Sequence, residues 1–313
     1  MSSALTYEQG QAINAAFLEK MASDDLAVQK EAADTVTDYT RLKVRELSFY
    51  DRCIAPQTVT ADRFRRSVQT DRPVIVVPME HDAPAAATFP FGTLPTGFEM
   101  KYRSYEVPFA RFQTQVAYHD VELLACTDMD VRQVTSDAMV RELDTEQDTK
   151  FIQGVNEALV AVGTTIPGGT AQWQTIYGGV TRSSMVDGRK LMPSSGGSLT
   201  PKVALLNHIT FHEPLKWQYQ EHGGGNMSAD WLKSGEITVD FMGMTWVSTI
   251  KKGLVPTNTV YYFADPSFIG KNFVYTDTVM VVDKKGYMFS FFFYKTHGGA
   301  MGNVFGVARA DFR

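Results

Sequence analysis

Two apolar runs of strand type, Val74-Ile75-Val76-Val77 and the run through Val107, Phe109 and Phe112, flank a stretch that fits neither helix nor compact strand. From Met79 to Tyr105 the chain carries Pro84, Pro90, Pro95, Gly92 and Gly97, with Ala83, Ala85, Ala86 and Ala87 between them. Proline lacks the donor that a sheet ladder needs, and glycine weakens a strand interior. Connections longer than about 12 to 15 residues are uncommon inside a compact domain and are usually functional or disordered. Disordered linkers are poor in aromatic residues, whereas this stretch holds Phe89, Phe91, Phe98 and Tyr102. Folded back as a hairpin, each limb would extend on the order of 40 Å at roughly 3.3 Å per residue. A compact chain of this length has a radius of gyration of about 20 Å. The stretch is therefore expected to be an arm that reaches another subunit, with Phe89, Phe91, Phe98 and Tyr102 as its inter-subunit contacts.

The remaining pattern divides into helices, a glycine-rich crossing and strands. Thr6-Tyr7-Glu8-Gln9 fits a capping box, and Ile13, Phe17, Leu18 and Met21 recur at helical spacing. A second helix is expected from Asp24 toward Leu47, with a thin apolar stripe that needs support from elsewhere. A long helix is predicted from about Asp130 to Val162, interrupted by the acidic run Asp144, Glu146, Gln147 and Asp148 and ended at Gly163. Residues 163–200 hold Gly168, Gly169, Gly178, Gly179, Gly188, Gly196 and Gly197 and read as irregular, with a short strand near Trp173 to Tyr177. A strand from Lys202 to Leu206 precedes a helix capped by Thr210, in the box Thr210-Phe211-His212-Glu213. Further strands are expected at Ile237 to Phe241, at Val260 to Phe263 and at Val304 to Arg309. Between the last two lies a hairpin of Thr278 to Val282 with Tyr287 to Tyr294, whose aromatic density predicts burial on both faces.

Composition narrows the class. With 44% apolar and 21% charged residues the chain is ordinary globular protein, and no run approaches the length of a membrane span. Cys53 and Cys126 lie outside any metal or disulfide spacing. A net charge of -5 argues against a protein built mainly to grip nucleic acid. Arg63, Arg65, Arg66 and Arg72 form one basic cluster, read as a solvated face.

Catalytic patterns are weak. His208, His212 and His222 are the best candidates for a metal-dependent hydrolase, but His212-Glu213 is followed by Pro214-Leu215-Lys216 rather than by HExxH. A cap at Thr210 would leave His208 outside the helix and off the face of His212. Gly270-Lys271 lacks the Walker spacing, and Ser194 and Ser195 lie outside GxSxG. Asp144, Glu146 and Asp148 are read as a solvated helix interruption rather than as acid/base residues. No catalytic residue, metal or cofactor is assigned, and no enzyme activity is expected.

The order of these elements resembles the major capsid proteins of tailed bacteriophages, of the Hong Kong ninety-seven type. The resemblance is carried by Thr70-Asp71-Arg72-Pro73-Val74-Ile75-Val76-Val77, Phe89-Pro90-Phe91-Gly92-Thr93, Tyr105-Glu106-Val107-Pro108-Phe109, and Asp144-Thr145-Glu146-Gln147-Asp148 with Phe151-Ile152. It implies an α+β phage capsid fold with an N-terminal arm over 1–60 and an extended β-hairpin loop with its flanking strands over 61–115. A peripheral domain with a long spine helix follows over 116–198, an axial domain over 199–268, and a return to the peripheral domain over 269–313. It further implies self-assembly as hexamers and pentamers into an icosahedral shell that encloses double-stranded DNA without specific binding. A separate scaffold protein and a portal would be the other partners. Assembly in the host cytoplasm, a place in the virion capsid and no membrane association are expected. An encapsulin-like cargo compartment is the alternative of the same fold.

Overall fold

The computed structural model describes residues 48–67, 72–79, 103–120, 131–165, 172–195, 197–217, 240–241, 243–251 and 253–313. Among the described residues, two sheets are joined by a long helix. The first sheet runs β1-β11-β12-β4-β3-β2, with β5 also paired to β12. Its strands are β1 Pro56–Thr58, β2 Arg65–Arg66, β3 Pro73–Pro78, β4 Ser104–Gln113, β5 Ala117–Asp120, β11 Gly270–Lys285 and β12 Met288–Met301. The second sheet runs β6-β13-β10-β7-β9-β8. It comprises β6 Trp173–Ile176, β7 Val203–Asn207, β8 Asp240–Phe241, β9 Met244–Thr249, β10 Thr259–Phe263 and β13 Val307–Phe312. Strands on both sides of 199–268 thus complete this sheet, β6 and β13 pairing in parallel at its edge.

The α-helices among the described residues are α1 Tyr50–Cys53, α2 Val131–Thr165, α3 Arg182–Lys190, α4 His208–Phe211 and α5 Pro266–Ile269. At 1.5 Å per residue α2 is about 50 Å long, enough to serve both sheets. Toward its start Leu143 packs with Met280, Phe289, Phe291 and Phe293 of the β11–β12 hairpin. Further along, Phe151, Ile152, Val155 and Leu159 enter a larger core with Phe49, Tyr50, Cys53 and Ile54, Met185 of α3 and the buried strand β10.

Several expectations are corrected. The helix does not break at the acidic run: Asp144, Gln147 and Asp148 are buried in the same stripe as Val140, Leu143, Phe151 and Val155. The hairpin strands are longer than the aromatic pattern indicated, and β12 is buried mainly on one face. Phe289, Phe291 and Phe293 point inward, whereas Phe292 and Tyr294 are half-buried. The glycine-rich crossing contains α3, capped by Thr181, whose hydroxyl accepts from the Ser184 N–H. The helix near Thr210 begins earlier, because Asn207 accepts from the Ile209 N–H and caps it. Thr210 lies inside that helix and accepts from the Asn258 N–H instead.

Two glycines of β12 let the layers approach. A Cβ on Gly298 would lie 2.9 Å from the Phe109 ring, and one on Gly299 would collide with the Tyr50 hydroxyl. On α2, a Cβ on Gly154 would meet open space. Gly299→Ala is therefore expected to destabilise the subunit by about 1 to 3 kcal/mol through overpacking. Gly154→Ala should instead stabilise it by roughly 0.5 to 1 kcal/mol. Urea denaturation of both variants checks the pair of opposite signs.

Candidate functional site: the arm root and a buried polar node

Strands β3 and β4 pair antiparallel from Val74 with Pro108 to Pro78 with Ser104. Beyond that pair the Met79 N–H donates to the Arg103 carbonyl at 2.9 Å. The chain therefore leaves and re-enters the sheet at one closed point. Beneath this root lies a small core of Val59, Ile75, Val107, Phe109 and Phe273, with Phe64 edge-on to Phe109 at 4.7 Å between ring centroids. Residues 80–102, with Phe89, Phe91, Phe98 and Tyr102, lie outside the described residues, as do residues 1–47.

Strand β4 is held to β12 from Phe109 with Gly298 to Gln113 with Tyr294. On β12, Lys295 and His297 belong to a buried polar node that the local sequence pattern does not reveal. Asp148 of α2 is its hub. It accepts from the Ser48 hydroxyl at 3.0 Å, the Tyr50 N–H at 3.1 Å and the Lys251 ammonium at 2.5 Å. Lys251 also reaches Asp144 at 3.3 Å. Gln147 donates to Asp51 at 3.2 Å and accepts from Lys295 at 2.8 Å. Asn272 of β11 donates to Asp51 at 2.9 Å and to the Ile54 carbonyl at 3.0 Å. Its amide oxygen is thereby left to accept from His297 Nε2 at 2.5 Å, which places a proton on that nitrogen. The node thus ties residues 48–54, where the N-terminal segment enters, to α2, to the strands that carry the arm root and to the turn after β9.

Burial dominates the electrostatics. It pushes the Asp144 carboxyl up from 3.8 to about 7, with Lys251 opposing, and raises Asp148 as well. It lowers His297 from 6.5 to about 3, with Lys295 adding to the effect. It also pushes the Cys53 thiol and the Tyr50 phenol upward, which keeps both protonated.

These shifts act on stability with opposite signs. The contribution of neutral His297 is fully present above pH 6.5 and is lost as pH falls toward about 3, at up to about 1.4 kcal/mol per unit. Folded Asp144 holds a proton that the unfolded chain has released between 3.8 and about 7, so its contribution improves stability as pH falls through that window. Asp148, raised as well, adds to the Asp144 slope, so between pH 6 and 4 His297 offsets only part of the gain and the wild type should change less steeply than a chain without that imidazole. His297→Gln, freed of the opposing slope, should become more stable relative to its own value at pH 7. Denaturation midpoints of both proteins across the range measure the difference.

His208 and His212 come together despite the expectation from a cap at Thr210. Their Nε2 atoms are 3.1 Å apart, because the helix starts at His208 and places both on one turn. His222 lies outside the described residues. Among the described residues no group of three His, Cys, Asp or Glu side chains could hold a metal ion. Glu146 is exposed and pairs with Lys150 at 3.7 Å. Beside the node, a groove of about 1250 Å³ opens between α2 and the strands β4 and β12, lined by Tyr50, Phe112, Met139, Gln147, Phe151 and His297 among others.

No family model and no curated protein matches the sequence. Solved structures do match the fold. The capsid of the cyanophage P-SCSP1u aligns with a TM-score of 0.56 at 12% identity, over 83% of this chain and 92% of that one. The mature capsid of bacteriophage PhiM1 aligns at 0.56 and 9% identity, over 85% and 87%. A virus-like particle from Pyrococcus furiosus aligns at 0.55 and 12% identity, over 88% and 98%. The chain has the α+β fold of shell-forming subunits. More particularly, it has the capsid fold found in tailed phages, as the resemblance in sequence order implied.

Proposed function

We propose that this chain is a major capsid protein that self-assembles, as hexamers and pentamers, into the icosahedral shell enclosing a phage's double-stranded DNA. The observation that carries the reading is a capsid fold matched over more than four fifths of the chain, with nine tenths of the cyanophage subunit covered in return. The closed root at Met79 and Arg103 supports residues 80–102 as an arm, with Phe89, Phe91, Phe98 and Tyr102 set against a neighbouring subunit. The spine helix is then α2, and residues 199–268 meet their copies at hexamer and pentamer centres. The negative net charge suits a container that holds DNA without gripping it. The role is structural, with a separate scaffold and a portal as partners during assembly in the host cytoplasm.

An encapsulin-like compartment is the second reading, favoured by the likeness to the Pyrococcus furiosus particle and by a groove large enough for a peptide. Sedimentation of the purified full chain, with and without scaffold from the same gene cluster, tests the shared claim: it should pellet as particles of one size. Terminase and portal genes beside it favour the phage shell, and a cargo enzyme the compartment. A chain that stays a monomer under all of these conditions contradicts both.

A further inference from the structure

The surroundings of Lys251 supply the parts of an acyl-transfer centre. Its amine is 2.5 Å from Asp148 Oδ2 and 3.3 Å from Asp144 Oδ2, and both carboxyl side chains are wholly excluded from solvent. Asp148 Oδ1 receives two converging donors, the Ser48 hydroxyl and the Tyr50 N–H. That is the arrangement which stabilises negative charge on a carbonyl oxygen under nucleophilic attack. Asp144 Oδ1 is buried without a hydrogen-bond partner. A bare carboxylate oxygen there is costly, so the group favours its protonated form. Burial has the same effect on its pKa, raising it to about 7. The buried Phe49 ring faces the amine at 5.8 Å.

We propose that Lys251 and Asp148 condense into an intramolecular isopeptide bond, with Asp144 as the proton-transferring acid and base. The Lys251 ammonium first passes a proton to the Asp148 carboxylate, leaving a neutral amine beside a neutral acid. The amine attacks Asp148 Cγ, and the carbonyl electron pair moves onto Oδ1, where the Ser48 and Tyr50 donors meet it. Asp144 gives its proton to the departing Oδ2 and takes one from the attacking nitrogen. The C–N bond forms, the Cγ–Oδ2 bond breaks, and one water leaves. An ammonium and a carboxylate become an amide and water, Asp144 ends as it began, and nothing is oxidised or reduced. Two buried charges disappear in the process, which removes the desolvation cost of keeping them as an ion pair.

The bond would join α2 to the turn after β9, 103 residues further along the chain. It closes a long loop in the unfolded state and, unlike a disulfide, is indifferent to reductant. The inference does not depend on the shell reading, since a single subunit contains every participating group.

Intact-mass spectrometry of the denatured full chain tests it, combined with peptide mapping. The expected result is a mass one water lower than the sequence requires, with the peptides holding Asp148 and Lys251 recovered as one branched species. Lys251→Met and Asp144→Asn, each checked for native circular dichroism, should restore the full mass. A wild-type chain of full mass, or a water loss that maps elsewhere, overturns the proposal and leaves the cluster a buried ion pair. A folded Asp144→Asn chain that still carries the branched peptide overturns the role of Asp144.

Discussion

Deletion of residues 82–101 is expected to leave a folded, monodisperse subunit that builds no normal shell. Folding should survive because the root is closed below the deletion: Met79 donates to Arg103, and Val107 and Phe109 keep their own core with Ile75 and Phe273. Assembly should fail because a shell multiplies weak contacts, and each subunit loses the same one. Replacing Phe89, Phe91, Phe98 and Tyr102 together by alanine should give the same outcome with a smaller change to the chain. Aromatic anchors at an interface commonly contribute about 2 kcal/mol or more each. The measurements are circular dichroism for the fold and negative-stain microscopy for the particles. Normal particles from either variant would exclude the arm as an assembly element.

Asp148→Ala should be the most damaging single substitution in the described core. The Asp148 side chain engages Ser48, the Tyr50 N–H and Lys251 at once, as an ion pair or as the proposed amide, in a place without contact with solvent. Its removal leaves the Ser48 hydroxyl and the Tyr50 N–H without their acceptor and leaves the Lys251 ammonium to Asp144 alone. Breaking a buried ion pair costs about 3 to 5 kcal/mol, and loss of the amide adds the entropy of the loop it closes. Segment 48–54 would lose its tie to α2, so the loss should appear first as proteolysis near Ser48 and then as a lower urea midpoint. Glu146→Ala, two residues away and exposed, should shift the midpoint by less than about 0.5 kcal/mol. Equal effects from the two substitutions would contradict the node.

What the sequence made legible was local. Apolar runs mark β3 and β4, and the recurrence of Val140, Leu143, Phe151, Val155 and Leu159 marks α2, because those patterns belong to the elements themselves. The acidic run reads as solvated for a physical reason: the cation that makes burial of Asp144 and Asp148 possible is Lys251, more than 100 residues later. No local pattern distinguishes a solvated Asp from one whose partner arrives from another strand. The start of α4 is ambiguous in the sequence because Asn207 and Thr210 are both good caps; in the fold the Asn258 N–H engages Thr210 and Asn207 caps the helix. In the sequence, the glycines in and around α3 mask its helical pattern. Gly188 lies within it because a side chain there would collide with the Tyr262 hydroxyl, 2.7 Å from where its Cβ would stand. Thr181 and Ser184 form a reciprocal cap that does not match the usual Glu or Gln pattern, although the spacing was readable.

The claim that this chain is a shell subunit whose arm crosses to a neighbour is tested most directly by cryo-electron microscopy of particles assembled from the full chain. The account predicts closed shells with hexamer and pentamer centres, α2 in the shell wall, and density for residues 80–102 resting on an adjacent subunit at Phe89, Phe91, Phe98 and Tyr102. Particles in which that density returns to its own subunit, or a chain that forms no particle at all, would contradict it.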